Sequence, residues 1–369
     1  MVRSGRDGSK WAPPHCPNPK CRYHSTSESG WRFKRAGFYT RQAHPRFIQR
    51  FTCCHCRRHF STQTFSTTYW QKRPDLDRRI FMKTVGGMAN RQIARDLGVA
   101  PKTVDDRLAR LGRHCMLLHQ RMMATARPPG EIAVDGFESF ELSQYYPFHH
   151  HLAVEKQTDF FVYFTDSELR RKGRMRPSQK RRREKLEAAH GRPDPQAVRK
   201  DMTELLAVAL SGLDRATVYS DDHRSYPPAL RRVPARIIHH VTSSRDHRDR
   251  HNPLWEVNLL DLLIRHCGAN HRRETIAWSK RRQASAERLA IFLVWRNYMK
   301  GRREKERGSP TPAMARGMTD RRLTVGEVLE RRIFRDHVAL PPRWRSYYAR
   351  TVRTRALGPH RAHRLSYAY

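Results

Sequence analysis

Five of the seven cysteines fall between residues 16 and 56, and this clustering constrains the N-terminal part of the chain more than any other feature. His15-Cys16-Pro17-Asn18-Pro19-Lys20-Cys21 carries two thiols round a proline-rich turn, and Phe51-Thr52-Cys53-Cys54-His55-Cys56 carries a Cys-x-x-Cys knuckle. In a reducing cytosol such thiols serve a metal rather than disulfides. Two knuckles separated by a longer stretch are the sequence form of a tetrahedral four-sulfur zinc site, which makes Cys16, Cys21, Cys53 and Cys56 the expected ligands. Cys54 and His55 compete for the role, and His24, His44 and His59 are weaker rivals. Trp31 to Arg35 and Phe47 to Phe51 alternate apolar with basic residues, as half-buried strands do, so residues 1–68 read as a zinc ribbon with a cationic outer face.

A helical pattern follows. Pro74 can open a helix over residues 75–85. In the stretch from Asn90 to Val104, Ala94 permits close helix approach and Gly98 a turn, while Ile93, Leu97, Val99 and Val104 supply a small shared core. Pro101 then starts a second helix, about 101–113, followed by a trailing helix and a linker ending in Ala-Arg-Pro-Pro-Gly. Residues 69–128 therefore read as a helix-turn-helix DNA-binding domain. Its second helix offers Lys102, Thr103, Arg107 and Arg110 to base edges and phosphates.

The charge agrees with that partner. There are 74 Lys and Arg against 35 Asp and Glu, a net +39, and an excess of this size calls for a polyanion such as double-stranded DNA. The chain has no apolar run long enough to span a membrane, and its first residues lack the apolar core of a signal peptide, so a cytoplasmic location is expected.

From Glu131 the pattern changes to strands. Residues 131–134 running through Asp135-Gly136 into 137–142, then 151–154 and 160–164, read as three strands of an antiparallel meander, 198–211 as a helix, 216–220 and 236–241 as two further strands, and 253–266 as a helix. Strands, helix, strand and helix in this order, with acids at the ends of the first and fourth strands and on a late helix, form the ribonuclease-H-like plan. The plan has a chemical reason: hard Mg²⁺ ions need carboxylate oxygens, and two of them activate an attacking oxygen and stabilise the leaving one. Asp222 is an alternative to Asp221, and Glu138 and Glu141 read as solvent-facing strand residues. The histidines at 149–151 and at 239, 240, 247 and 251 read as phosphate contacts or a solvated face, and His223 as a substrate contact. The basic run from Arg170 to Arg183 reads as a flexible, solvated insertion, about 168–197.

Val134-Asp135-Gly136, Tyr219-Ser220-Asp221 and the basic segment from Asn270 to Arg281, placed after cysteine knuckles and a helix-turn-helix, resemble the bacterial insertion-sequence transposases of the DDE type over about residues 14–300. The resemblance implies a multi-domain α+β chain in which residues 129–300 form a ribonuclease-H-like mixed α/β catalytic domain, with Asp135 and Asp221 as its first two acids. Glu256 suits the family's spacing as the third. Counting back from the basic segment places Asn258 there instead, with Asp261 one turn away. Arg272, Arg273, Lys280 and Arg281 are the expected contacts to a DNA end.

The implied function is binding of terminal inverted repeats and target DNA, followed by 3′-end cleavage and strand transfer with Mg²⁺ or Mn²⁺. Two DNA ends imply a homodimer or higher oligomer, and the family implies a bacterial, nucleoid-associated protein. The rival is a zinc-containing transcriptional regulator with an inactive domain of the same fold, and a simple nuclease is a third reading. Residues 283–300 read as a core helix through Ile291, Phe292, Trp295, Tyr298 and Met299. Residues 301–369 form a basic extension without assignment, with one helix near 324–336.

Overall fold

The computed structural model describes residues 11–24 and 30–363. Residues 1–10 and 25–29 of the expected ribbon, and 364–369 of the extension, lie outside the described residues. The ribbon is an antiparallel sheet of β1 (Phe33–Thr40), β2 (Phe47–Cys53) and β3 (His59–Ser61) in that order. Its inner face is aromatic: Phe51 and Phe60 stack at 5.5 Å, and Trp11 meets the edges of Phe51 and Phe65. Lys34 and Arg35 stay outside.

α1 (Leu76–Val85), α2 (Asn90–Leu97) and α3 (Pro101–Met123) follow. Gly98 closes α2 at φ +63°, a left-handed turn that glycine adopts without strain. Ile93, Ala94, Val104 and Leu108 pack beneath the turn. The expected second and trailing helices are one 23-residue helix, about 35 Å long, whose second half extends beyond α1 and α2. There it lies on α8 (Arg282–Tyr298), at a spacing that only glycine allows, since a Cβ on Gly112 would stand 2.6 Å from the Glu287 carbonyl oxygen.

The second sheet holds β4 (Glu131–Phe140), β5 (Pro147–Glu155), β6 (Phe161–Glu168), β7 (Arg215–Asp221) and β8 (Arg236–Thr242) in the order β6-β5-β4-β7-β8. β4, β5 and β6 pair antiparallel, while β7 and β8 run parallel to β4. β4 runs through Asp135 and Gly136 without a break and ends at Phe140. α5 (Ala197–Ala209) packs on β5 and β6, and α7 (Trp255–Cys267) on β4 and β5. α4 (Pro177–His190) buries no residue, so the basic insertion contains an ordered but solvated helix, anchored where Arg170 meets Glu187 at 2.7 Å. α6 (Tyr226–Leu230) follows β7.

The extension is woven through the whole chain. α9 (Pro312–Ala315) and α10 (Val325–Glu330) lead to α11 (Pro342–Ala349), and α10 is shorter than the helix expected near 324–336. Trp344 is fully buried and donates its indole N–H to the Phe164 carbonyl at 3.0 Å. Tyr347 donates to Asp166, which Arg282 pairs at 2.8 Å. Glu141, expected in solvent, is buried and accepts from the backbone N–H of Arg282 and the hydroxyl of Thr354. Among the described residues no helix is long and apolar enough to cross a membrane.

Candidate active site

The ladder between β4 and β7 runs from Glu131↔Thr217 to Ala133↔Tyr219 and stops. Asp135 and Asp221 lie two residues beyond that last pair, each on the same side of its strand as the paired residue before it. Two carboxylates therefore flank the fork where parallel strands part, Asp221 at the end of β7 and Asp135 midway along β4, and such a parting is where open α/β sheets hold ligands. Asp135 Oδ1 accepts from the Gly136 N–H at 2.7 Å, and Asp221 Oδ1 from the His223 N–H at 3.1 Å. Asp222 is exposed beside them.

Asp261 on α7 is a third acid whose charge reaches Asp135, although the three carboxylates do not close to within 4.8 Å of one another. Burial raises Asp135 to about 7, helped by the charge of Asp221 and, to a lesser extent, of Asp261, against the Gly136 hydrogen bond. Asp261 is half-buried and meets Arg265 Nε at 3.1 Å. Glu256 pairs with a cation: its Oε2 lies 2.7 Å from Lys156 Nζ, and its charge acts on Tyr219. Asn258 lies between the two acids on the same helix. The donor set of the fork is all oxygen, which suits a hard divalent cation, and crowded negative charge is what such a cation relieves.

The wall around the acids holds groups that carry no signal in the sequence pattern. Tyr226 is buried against Asp135 and Asp221, and burial and those two charges push its hydroxyl well up. Arg248 supplies a positive charge to Asp135, and Lys172 one to His223. The histidines at 149–151 are not a solvated face. His150 and His151 are fully buried on opposite sides of β5, bonded to Ser285 at 2.8 Å and to Ser167 at 2.7 Å. Burial holds His149 and His150 at about 4, so both stay neutral. Gly136 leaves room for this packing, since a Cβ there would meet His151 Nδ1 at 3.1 Å. His239 bonds Ser220 Oγ at 2.8 Å, and His240 stacks on Tyr219.

The four expected cysteines converge. The Sγ atoms of Cys16, Cys21, Cys53 and Cys56 lie within 4.8 Å of one another, and those of Cys16 and Cys56 are 3.6 Å apart. A zinc–sulfur bond of about 2.3 Å in a tetrahedron sets sulfur–sulfur edges near 3.8 Å, so the cluster could hold zinc. Burial pushes Cys16 up, whereas Cys53, despite burial, is held at about 7 by the Trp31 indole N–H and the backbone of the knuckle. The rivals point elsewhere: His24 bonds the Cys16 carbonyl and Asp336, His59 bonds Thr52, and His55 meets the Tyr23 ring.

The expected DNA contacts divide. Lys102 is exposed beside Asp106, and Thr103 is half-buried. Arg107 turns inward to Asp77 at 3.2 Å, and Arg110 donates to the carbonyls of Thr67 and Tyr69, so both brace the domain from within. Arg272, Arg273 and Lys280 are exposed on the loop after α7, while Arg281 is half-buried and donates to the Gly358 carbonyl.

No family model and no curated protein matches the chain. Among solved structures, a chain of the cryo-EM structure of the simian T-cell lymphotropic virus intasome in complex with PP2A regulatory subunit B56 gamma is 11% identical. The match covers 54% of this chain and 58% of that one, so this chain spans little more than half the length of its counterpart, at a TM-score of 0.24. The catalytic domain of Mos1 mariner transposase is 10% identical over 50% of this chain and 86% of that one, at a TM-score of 0.20. Likenesses this shallow carry no argument, and the function has to be read from the fork between β4 and β7.

Proposed function

We propose that the chain is a DDE-type DNA transposase. In this reading a ribonuclease-H-like body cuts and joins strands, and the zinc ribbon and helix-turn-helix find the DNA ends. The observation that carries it is the pair Asp135 and Asp221 at the parting of two parallel strands, within the strand order β6-β5-β4-β7-β8 and beneath a helix that bears Asp261. The body extends from about residue 129 through the C-terminal extension, because Trp344 and Tyr347 belong to its core.

Asp135, Asp221 and Asp261 would hold the metals. Bound Mg²⁺ or Mn²⁺ supplies Lewis acidity to the attacking oxygen, first of water and then of a 3′ hydroxyl, and to the leaving oxygen. The protein's own groups do the rest. Tyr226 closes the floor of the fork against water, and Arg248 and Lys172 offer positive charge to the phosphates that flank the cut. Processing two ends calls for at least a dimer.

One observation favours the rival, a DNA-binding regulator: Asp261 is engaged by Arg265, so the third acid is partly neutralised within its own helix. Strand-transfer assays with duplex oligonucleotide ends and Mg²⁺ separate the two readings. The transposase reading expects joined products that vanish in Asp135→Asn while DNA binding persists. Binding without cleavage in the wild-type protein would favour the regulator.

A further inference from the structure

The loop from Gly268 to Arg281 leaves Ile276 94% exposed. A single exposed aliphatic side chain is ordinary on a protein surface. This one is held out on a braced support. Thr275 Oγ1 donates to the Ala269 carbonyl and accepts from the Ala277 N–H, both at 2.9 Å. On the far side, the Trp278 indole N–H donates to the Leu142 carbonyl at 3.0 Å, and the Leu142 N–H donates to the Ser279 carbonyl at 3.1 Å. The stretch after Ile276 is thus tied to Leu142 just past β4 and the stretch before it to the loop's own start, so an ordered apolar tip faces solvent at low entropic cost.

The charge around the tip names its partner. Arg272 and Arg273 precede it, and Lys280 follows, lying over the Trp278 ring at 4.9 Å. Ile276 lines a cleft of about 1030 Å³ that the loop shares with α2 and the start of α3, including Arg91, Arg95 and, beside Asp105 and Asp106, Lys102. Eight Lys and Arg line this open cleft against the four acids Asp105, Asp106, Glu274 and Glu287, and such an excess of cations, beside the end of a helix placed to read a groove, suits a phosphate backbone. The loop is also tied to the acids. Arg265 donates to Asp261 and to the carbonyl of His271, so the third acid and the loop share one support.

We propose that this cleft takes duplex DNA and that Ile276 is a wedge that enters between base steps, unstacking them while the cations of the loop hold the flanking phosphates. The proposal rests on the DNA-end reading above and adds to it the residue that opens the duplex. Apolar side chains inserted between base steps kink DNA at a cost of a few kcal/mol, and the cost is least where a base is already mispaired. An opened end would let the scissile phosphate reach the fork between β4 and β7.

The test is equilibrium binding of the full-length protein, without added Mg²⁺, to a fluorescein-labelled duplex of about four helical turns. One version is fully paired and the other carries a single central mismatch. The wild-type protein should prefer the mismatched duplex by about tenfold, Ile276→Leu should keep the preference, and Ile276→Ala should lose it while binding the paired duplex within about threefold of wild type. Equal binding of both duplexes by the wild type, or an undiminished preference in Ile276→Ala, would overturn the proposal. The assay involves no cleavage, so Asp135→Asn should show the wild-type preference even if the strand-transfer reading fails.

Discussion

Glu256 lies 2.7 Å from Lys156 Nζ, and Lys156 itself is held by its backbone to the Glu131 carbonyl at the start of β4. The ion pair anchors the first turn of α7 and engages this acid with a cation. Asp261, five residues further along α7, is the acid whose charge Asp135 feels. Asp261→Asn is therefore expected to lower Mg²⁺-dependent strand cleavage by about a hundredfold or more, as Asp135→Asn does, because each removes a carboxylate that the charge of the metals requires. Glu256→Gln should stay within about threefold of wild type, since it touches only packing at the helix start. Cleavage assays on the three variants decide the assignment, and a Glu256→Gln protein as inactive as Asp135→Asn would reverse it.

The cysteine cluster also reaches beyond the ribbon. His15 stacks on His337 at 3.7 Å, and His24 joins the Cys16 carbonyl to Asp336, so the C-terminal extension packs directly behind the ligands. Purified protein should contain about one zinc per chain. Cys53→Ser should lose the metal and lower the stability of the whole chain, whereas Cys54→Ser, at a half-exposed thiol outside the cluster, should keep both. Elemental analysis combined with thermal melting reads both effects, and zinc retained in Cys53→Ser would remove this site.

Features with local periodicity are legible in the amino-acid sequence itself. The two cysteine knuckles, the turn at Gly98 and the acids Asp135 within β4 and Asp221 at the end of β7 are each readable from a short run of neighbouring residues. The choice between Glu256 and Asp261 is not, because both stand on α7 within about a turn and a half of each other and only the packing of α7 on β4 separates them. Arg107 and Arg110 fall at helix positions that alternate with the core, yet their partners Asp77, Thr67 and Tyr69 lie 30 to 43 residues away. Three consecutive histidines read as polar surface, although strand alternation sends His150 and His151 to opposite buried faces. The extension shows little pattern because its helices of 4, 6 and 8 residues are too short to display a period, and its anchors Trp344 and Tyr347 bond to partners 180 and 181 residues away.

At Gly112 two effects oppose each other. Alanine favours a helix interior over glycine by about 1 kcal/mol, which would stabilise α3. The added Cβ, however, would lie 2.6 Å from a backbone oxygen and 2.8 Å from the Cα of Glu287, on a buried helix whose backbone cannot move aside. Overpacking of this kind costs about 1–3 kcal/mol, so the clash should win. Gly112→Ala is expected to lower the urea midpoint, and Gly112→Val to lower it further. A raised midpoint in Gly112→Ala would mean that α3 and α8 sit further apart than this structure has them.

His119 links α3 to the sheet and gives the fold a defined acid limit. Its Nε2 donates to the Val162 carbonyl at 2.9 Å, and its Nδ1 accepts from the Tyr298 hydroxyl at 3.1 Å, an arrangement that requires the neutral ring. Burial lowers its pKa from 6.5 to about 4; the Val162 bond opposes that shift, and the charge of Arg316 adds to it. Phe160, Tyr298 and Trp344 enclose the ring. The folded state then binds fewer protons than the unfolded state between about pH 4 and pH 6.5, so stability is complete above 6.5 and is lost as pH falls towards 4. The slope per such histidine is about 1.4 kcal/mol per pH unit. His114, lowered to about 4 by burial, and His149 and His150 add slopes of the same sign. His119→Gln keeps a donor for the Val162 carbonyl and cannot take up a proton. It should be less stable than wild type at about pH 7.5, and its stability should fall less steeply between about pH 6.5 and 4.5. Urea titrations across that range test the point, and parallel curves for the two proteins would show that His119 is not buried as a neutral ring.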